Sequence, residues 1–209
     1  MFIQEFLRLI FYLLYQPFAW TYDWVAGLVS CGKWHSWVCA SLPYLTGPRV
    51  LELGHGPGHL QLILKQNGVA SVGIDLSRQM SAIARRRLRH DGYPADLILG
   101  YAQSLAFDSN SFSQVVATFP SEYITEGQTL AEISRVLAPD GKLVVILGGW
   151  LTGYSLCQRM TGWLLGGAAR HELSHLKRWL EPFQKAGFRA EARIVDLSDS
   201  QLLMILATK

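Results

Sequence analysis

From Arg49 onward, short apolar runs alternate with longer stretches in which apolar residues recur every three or four positions, and this alternation predicts strands and helices in turn. Arg49 to Leu53 is a five-residue run with a single acid, Glu52, bounded by Gly47 and Pro48, which suits a buried parallel strand. A helical pattern begins at about His59 with Leu60, Leu62, Ile63 and Leu64, and a second strand, Val69 to Ile74, ends on Asp75. Ser77 is placed to cap a helix that runs to about His90 and stops at Asp91-Gly92. Ala95 to Gly100 and Val115 to Phe119 read as the third and fourth strands. A helix follows over Gly127 to Leu137, then a turn at Asp140-Gly141 and a fifth strand, Leu143 to Leu147. His171 to Ala186 is helical with Gly187 as its stop, and Arg189 to Leu197 and Leu202 to Thr208 close the chain as strands. Strand–helix repetition of this kind predicts an α/β domain with a mostly parallel sheet.

The first 46 residues depart from that rhythm. Phe2 to Leu14 is apolar apart from Gln4, Glu5, Arg8 and Tyr12, which share one stripe of a helix. The run is too short to span a bilayer and lacks the marks of a secretory signal. It suits either a membrane interface or a lid packed on the domain. Pro17 to Leu45 then concentrates aromatics, including Phe18, Trp20, Tyr22, Trp24, Trp34, Trp37 and Tyr44. Residues 1–46 are accordingly read as an N-terminal helical lid or membrane-interface segment, and residues 47–209 as the main domain, with no repeat or low-complexity linker.

Composition narrows the function. Half of the 209 residues are hydrophobic and the formal net charge is +3, so charge gives no reason to expect a nucleic-acid partner. Cys31, Cys39 and Cys157 have no metal-ligand spacing, and their odd number argues against a disulfide framework and for a reducing, cytoplasmic setting. No metal site is expected. Arg85, Arg86, Arg87 and Arg89 form a cluster that suits a solvated helix face or attraction to anionic lipid.

The chemistry concentrates around Val50 to Leu60, V-L-E-L-G-H-G-P-G-H-L. Gly54, Gly56 and Gly58 follow the first strand directly, where glycine permits a tight turn and lets a ligand lie against the backbone. Free N–H groups of the next helix face that loop. Asp75, at the end of the second strand, is placed to accept hydrogen bonds from both hydroxyls of a ribose. Dinucleotide folds use G-x-G-x-x-G, whose third glycine falls where this chain has His59, which disfavours a nicotinamide-dependent oxidoreductase.

The pattern E-L-G-x-G-x-G with an acid after the second strand resembles the class I S-adenosylmethionine-dependent methyltransferases. Further stretches carry the same resemblance: Gly100 to Phe107 is similar to the family's G-D-A-x-x-L-P-F loop, and Ser111 to Val115 to its S-F-D-x-V. Glu132 to Leu143 is similar to E-x-x-R-V-L-x-P-G-G-x-L. Tyr101 and Ser113 stand where acids are usual. Tyr22-Asp23 and Ser30-Cys31-Gly32-Lys33-Trp34 resemble the lead-in of quinone-biosynthesis and small-molecule methyltransferases, which covers the donor pocket.

The resemblance implies a Rossmann-like, seven-stranded sheet with helices on both faces and an antiparallel last strand, with S-adenosylmethionine as cofactor. It assigns Glu52, Gly54, Gly56 and Gly58 to the methionine part, Asp75 to the ribose, and Leu76, Ala102 and Gln103 to the adenine. Thr118 borders the transferable methyl, with Tyr22, Phe119, Pro120, Tyr123 and Trp150 around the acceptor. Gly148 to Gly167 reads as an aromatic cap over that acceptor. His35, His55, His59, Glu122, Tyr123, His171 and His175 are the titratable or hydrogen-bonding candidates, none within a recognisable base motif, so the catalytic residue is left unassigned. The implied function is methyl transfer to a small lipophilic acceptor such as a quinone, a phospholipid headgroup or an aromatic metabolite, with peripheral contact at the inner face of a membrane. An inactive donor-binding scaffold held at a membrane is the alternative kept open by the two missing acids.

Overall fold

A computed structural model describes residues 22–152 and 176–209. Two short helices, α1 (Tyr22–Val29) and α2 (Trp34–Cys39), lead through a 3-10 turn at Leu42–Tyr44 into β1 (Arg49–Leu53). The chain continues as α3 (His59–Gln66), β2 (Ala70–Asp75), α4 (Arg78–His90), β3 (Leu97–Leu99) and β4 (Phe112–Thr118). A 3-10 turn at Glu122–Thr125 precedes α5 (Gly127–Val136) and β5 (Leu137–Leu151). The described chain ends with α6 (Leu176–Lys185), β6 (Arg189–Leu197) and β7 (Ser200–Thr208).

The strands form one sheet in the order β3-β2-β1-β4-β5-β7-β6. β1 to β5 pair in parallel, and β7 runs antiparallel to both β5 and β6. The expected sheet, with its reversed last strand, is what the chain builds. Strict alternation divides the core. Leu51, Leu53, Val115, Ala117, Leu143, Val145 and Ile205 pack with Leu130 and Ile133 of α5 and Phe183 of α6. Val50, Val116, Val144, Ile146 and Met204 face the other way, against Trp37 and Val38 of α2 and Leu60, Ile63 and Leu64 of α3. A sheet covered on both faces has to be apolar at every central position, which accounts for the unbroken runs of β4 and β5.

Strand boundaries differ from expectation most in β4 and β5, while β3 is shorter by three residues and β7 starts two residues earlier. β4 starts at Phe112 rather than Val115, because Ser113 and Gln114, polar residues that break the apolar run, still pair at the start of this central strand. Ser113 Oγ accepts from the Arg49 N–H at 3.1 Å and donates to the Arg49 carbonyl at 2.8 Å. β5 extends over fifteen residues. The expected turn at Asp140-Gly141 lies inside it as an irregularity: the register jumps from Phe112 opposite Leu137 to Gln114 opposite Lys142, and Asp140 has φ 57°.

The expectation for the cysteines also needs correction. Cys31 is disulfide-bonded, whereas Cys39 is a free thiol. An odd count excludes complete pairing and nothing more, so the cysteines lend no support to a reducing compartment. Among the described residues no helix is long and apolar enough to cross a membrane. Phe2 to Leu14, most of the Gly148–Gly167 stretch, His171 and His175 lie outside the described residues.

Candidate functional site

The chain runs outward from β1 to β2 and β3, then returns to β4 on the other side of β1. The carboxyl ends of β1 and β4 therefore border the crevice where ligands of open α/β sheets bind. The glycine loop stands on one side of that crevice and Thr118-Phe119-Pro120 on the other.

Gly54, Gly56 and Gly58 all have positive φ, at 69°, 51° and 83°. Each is required for a different reason. A Cβ on Gly54 would lie 2.8 Å from Tyr123 Oη, and one on Gly58 would lie 2.7 Å from Ala84 Cβ of α4. A Cβ on Gly56 would meet nothing within 4 Å, although Gly56 is itself buried and Gly54 is the exposed glycine of the loop. Gly58 caps α3, whose first N–H groups face the crevice. Asp75 holds the loop to β2: Gly56 N–H donates to Asp75 Oδ2 at 2.8 Å and Ser77 N–H to Oδ1 at 2.7 Å. Each carboxylate oxygen keeps a lone pair for a further donor. Ser77 caps α4 by accepting from the Met80 N–H at 3.2 Å.

Glu52 sits beneath the loop, only 1% exposed, with Gln61 Nε2 donating to its Oε2 at 2.8 Å. Burial pushes its carboxyl up to about 8, opposed by the Gln61 hydrogen bond and reinforced by the charge of Asp75. His55, in the loop itself, points inward as well. Its Nδ1 lies 2.8 Å from the Gly56 carbonyl and its Nε2 3.4 Å from Ser81 Oγ, and burial holds it below the ordinary histidine range. His59 Nε2 lies 2.8 Å from Asp23 Oδ1 of α1. His35 lies beside Cys39 on α2. Glu122 is exposed in the 3-10 turn after β4.

On the side of the loop expected to take a base, Leu76 is 52% exposed and Tyr101 60% exposed, apolar surface that a flat aromatic ligand would cover. Ala102 is half-buried there. Gln103 Nε2 donates to Glu126 Oε2 at 2.7 Å, so its carboxamide is tied to the start of α5. Two residues that entered the sequence reading only as motif letters brace this loop. Glu132 Oε2 accepts from the Leu105 N–H at 2.7 Å, while Arg135 donates to the carbonyls of Phe107 and Leu105 at 2.7 and 2.8 Å. The E-x-x-R spacing was the available signal, because positions three apart share a helix face and let one ion pair grip both ends of a loop.

Across the crevice, Thr118 is half-exposed at the end of β4 and Phe119 has φ 52°. Few bulky residues adopt that conformation. It is held by the Phe119 N–H to the Ile146 carbonyl at 2.8 Å and by the Trp34 ring, 4.5 Å away between centroids. Trp37 lies 5.9 Å from Phe119, and its indole N–H donates to Ser200 Oγ at 2.9 Å. Pro120 is half-buried. Tyr123 Oη donates to the Leu53 carbonyl at 3.3 Å, across the crevice floor. Trp150 is further along β5, bonded through its indole N–H to Gln201 Oε1 at 3.0 Å. The side chain of Tyr22 lies outside the described residues. The structure thus gathers the glycine loop, Asp75, Thr118, Phe119 and Tyr123 about one crevice, while Glu52 and His55 form its buried support.

The fold is that of the class I methyltransferases, and part of the chain is similar in sequence to that family. Residues 51–145 match the family described as methyltransferase domain. The demethylmenaquinone methyltransferase of Symbiobacterium thermophilum is 31% identical over 144 residues, which cover 64% of this chain and 57% of that protein. The chain thus spans little more than half the length of that relative. Among solved structures, the YcgJ protein from Bacillus subtilis superposes with a TM-score of 0.61 at 14% identity, covering 84% of this chain and 98% of that one. The Haemonchus contortus phosphoethanolamine N-methyltransferase 2, in complex with phosphomonomethylethanolamine and S-adenosylhomocysteine, gives 0.60 at 18% identity, covering 85% of this chain and 53% of that one. At these identities the structural likeness speaks for the fold alone.

Proposed function

We propose that the chain binds S-adenosylmethionine in the crevice and transfers its methyl group to a small lipophilic acceptor. The observation that carries this reading is Asp75, fixed by two backbone N–H groups beside an open, positive-φ glycine loop, with lone pairs left for two ribose hydroxyls. The exposed Gly54 and the space beside Gly56 fit the donor's methionine portion, and the exposed faces of Leu76 and Tyr101 fit its adenine. Demethylmenaquinone methyltransferases among the relatives support a quinone-like acceptor, and the half-buried Trp34 and Phe119, backed by buried Trp37, supply the apolar surface to meet one.

When bound, S-adenosylmethionine supplies a methyl group on a sulfonium that is already activated for in-line displacement. The protein's task is then alignment and exclusion of water, worth on the order of 7–11 kcal/mol for well-oriented reactants. Asp75 would hold the ribose and the α3 N-terminus would face the methionine carboxylate, while Phe119, Pro120 and Tyr123 would wall the side from which the acceptor approaches. Neutral His55 is turned inward and His59 is engaged with Asp23, so neither is placed as a base. An acceptor that needs deprotonation would find Tyr123 nearest the loop.

Calorimetry tests the reading. S-adenosylmethionine and S-adenosylhomocysteine should bind more tightly than NAD, and Asp75→Ala should weaken them about ten- to a hundredfold, since hydrogen bonds to a charged group are worth about 1.5–3 kcal/mol. Tighter binding of NAD, or an unchanged affinity in folded Asp75→Ala, overturns it. An inactive scaffold is distinguished by incubating enzyme and donor with a lipid and metabolite extract and finding no product heavier by one methyl group.

A second reading concerns where the acceptor is met. Trp24 and Leu28, one helical turn apart on α1, are 79% and 73% exposed, an apolar face suited to a membrane surface. We propose that α1 and the preceding segment touch the bilayer from which a lipophilic acceptor is drawn.

A further inference from the structure

We propose that Asp23 of α1, with Arg87 and His59, is a positioning group that holds the glycine loop in its donor-binding shape, so that donor affinity depends on a residue outside the crevice. The inference rests on the donor-binding reading of that loop. Asp23 Oδ1 lies 2.8 Å from His59 Nε2, the first residue of α3, and Asp23 Oδ2 lies 2.5 Å from Arg87 Nη2 of α4. The other terminal nitrogen of Arg87 donates to the carbonyl of Pro57, inside the loop. One guanidinium therefore grips α1 and the loop together, and one carboxylate grips α3 and α4 together.

A loop of three glycines has many conformations to lose, and its shape has to be imposed by its surroundings. Asp75 fixes it from the inside, at the Gly56 N–H. Arg87 fixes it from the outside, at the peptide that leads into Gly58 and so sets the direction of the first N–H groups of α3. Arg87 can serve this purpose only while its fork is oriented, and Asp23 is the group that orients it. The hydrogen bond from His59, with the nearby charge of Arg87, holds the Asp23 carboxyl below the usual carboxylate range, in keeping with an ionised clasp. Arg87, one of four arginines whose clustering suggested a solvated face or lipid attraction, is thus spoken for, as is Arg85, which donates to the Leu97 carbonyl at 3.1 Å.

The test uses the full chain and its Asp23→Asn, Asp23→Glu, Arg87→Gln and Asp23→Asn/Arg87→Gln variants. Calorimetry with S-adenosylhomocysteine should show about tenfold weaker binding for Asp23→Asn, recovery to within about threefold of wild type for Asp23→Glu, and a double variant no weaker than Arg87→Gln alone. Melting temperatures should change little, which separates positioning from loss of fold. Unchanged affinity in Asp23→Asn, or effects that simply add, overturns the proposal. If the wild-type chain binds neither S-adenosylmethionine nor S-adenosylhomocysteine, the donor reading fails, and amide exchange then decides the clasp: faster exchange at Gly56, Gly58 and His59 in Asp23→Asn supports it, and unchanged exchange sinks it. Should Arg87→Gln fail to fold, the two Asp23 variants still decide the matter.

Discussion

Glu52 is placed where an ionised carboxylate is expensive. It is enclosed by the sheet and α3, has Gln61 as its hydrogen-bonding partner, and feels the charge of Asp75. In the folded chain the proton is retained up to about pH 8, whereas the unfolded chain releases it near the ordinary 4.5. Between those values the unfolded state binds fewer protons than the folded one, so stability contributed by this residue falls as pH rises. The slope is at most about 1.4 kcal/mol per pH unit. Glu52→Gln, neutral and nearly the same shape, should remove that slope and be the more stable protein at pH 8. Urea unfolding at pH 5, 6.5 and 8 for both proteins measures it, and parallel pH profiles would show that Glu52 is ionised in the folded state. The sequence drew attention to Glu52 through the E-x-G-x-G spacing, but not to its partner: Gln61 looked like one more polar residue of an amphipathic helix.

At the scale of elements, periodicity located the strands because most of them are buried on both faces and must be apolar throughout. It failed where polar side chains do structural work at the start of a central strand. Ser113 and Gln114 hid the start of β4, although Ser113 clips it to Arg49 and Gln114 holds the linker by accepting from the Gly47 N–H and donating to the Tyr44 carbonyl. The glycine loop was legible as a motif, yet its three glycines are not equivalent, and substitution should separate them. Gly58→Ala forces a side chain into positive φ and against Ala84, and should cost about 2–4 kcal/mol of stability. Gly56→Ala meets open space and should cost about 1–2 kcal/mol, while weakening donor binding more than it weakens the fold. Equal losses of stability in the two variants would mean that α3 and α4 are free to move apart. The clasp at Asp23 was beyond reach of any local pattern, since its partners lie 36 and 64 positions away along the chain and only the docking of α1 brings them together.

For the molecule as a whole, α1 has two faces with different obligations. Asp23 turns toward the loop and α4, while Trp24 and Leu28 are left bare, an arrangement that costs nothing if the bare face meets lipid. Tryptophan favours the membrane–water interface, and the exposed Arg86 and Arg89 of α4 lie on the helix that Asp23 contacts through Arg87. The full chain should therefore sediment with vesicles containing anionic lipid. Trp24→Ser/Leu28→Ser should weaken that sedimentation, as should removal of residues 1–16, with donor binding largely intact in both because Asp23 stays in place. Raising the salt concentration should weaken sedimentation further if Arg86 and Arg89 contribute, since exposed charges are screened over about 8–10 Å at physiological ionic strength. The opposite outcome has an equally definite meaning. If the intact chain ignores vesicles while removal of residues 1–16 abolishes donor binding, the N-terminal segment is a packed lid, and the acceptor is a metabolite met in solution.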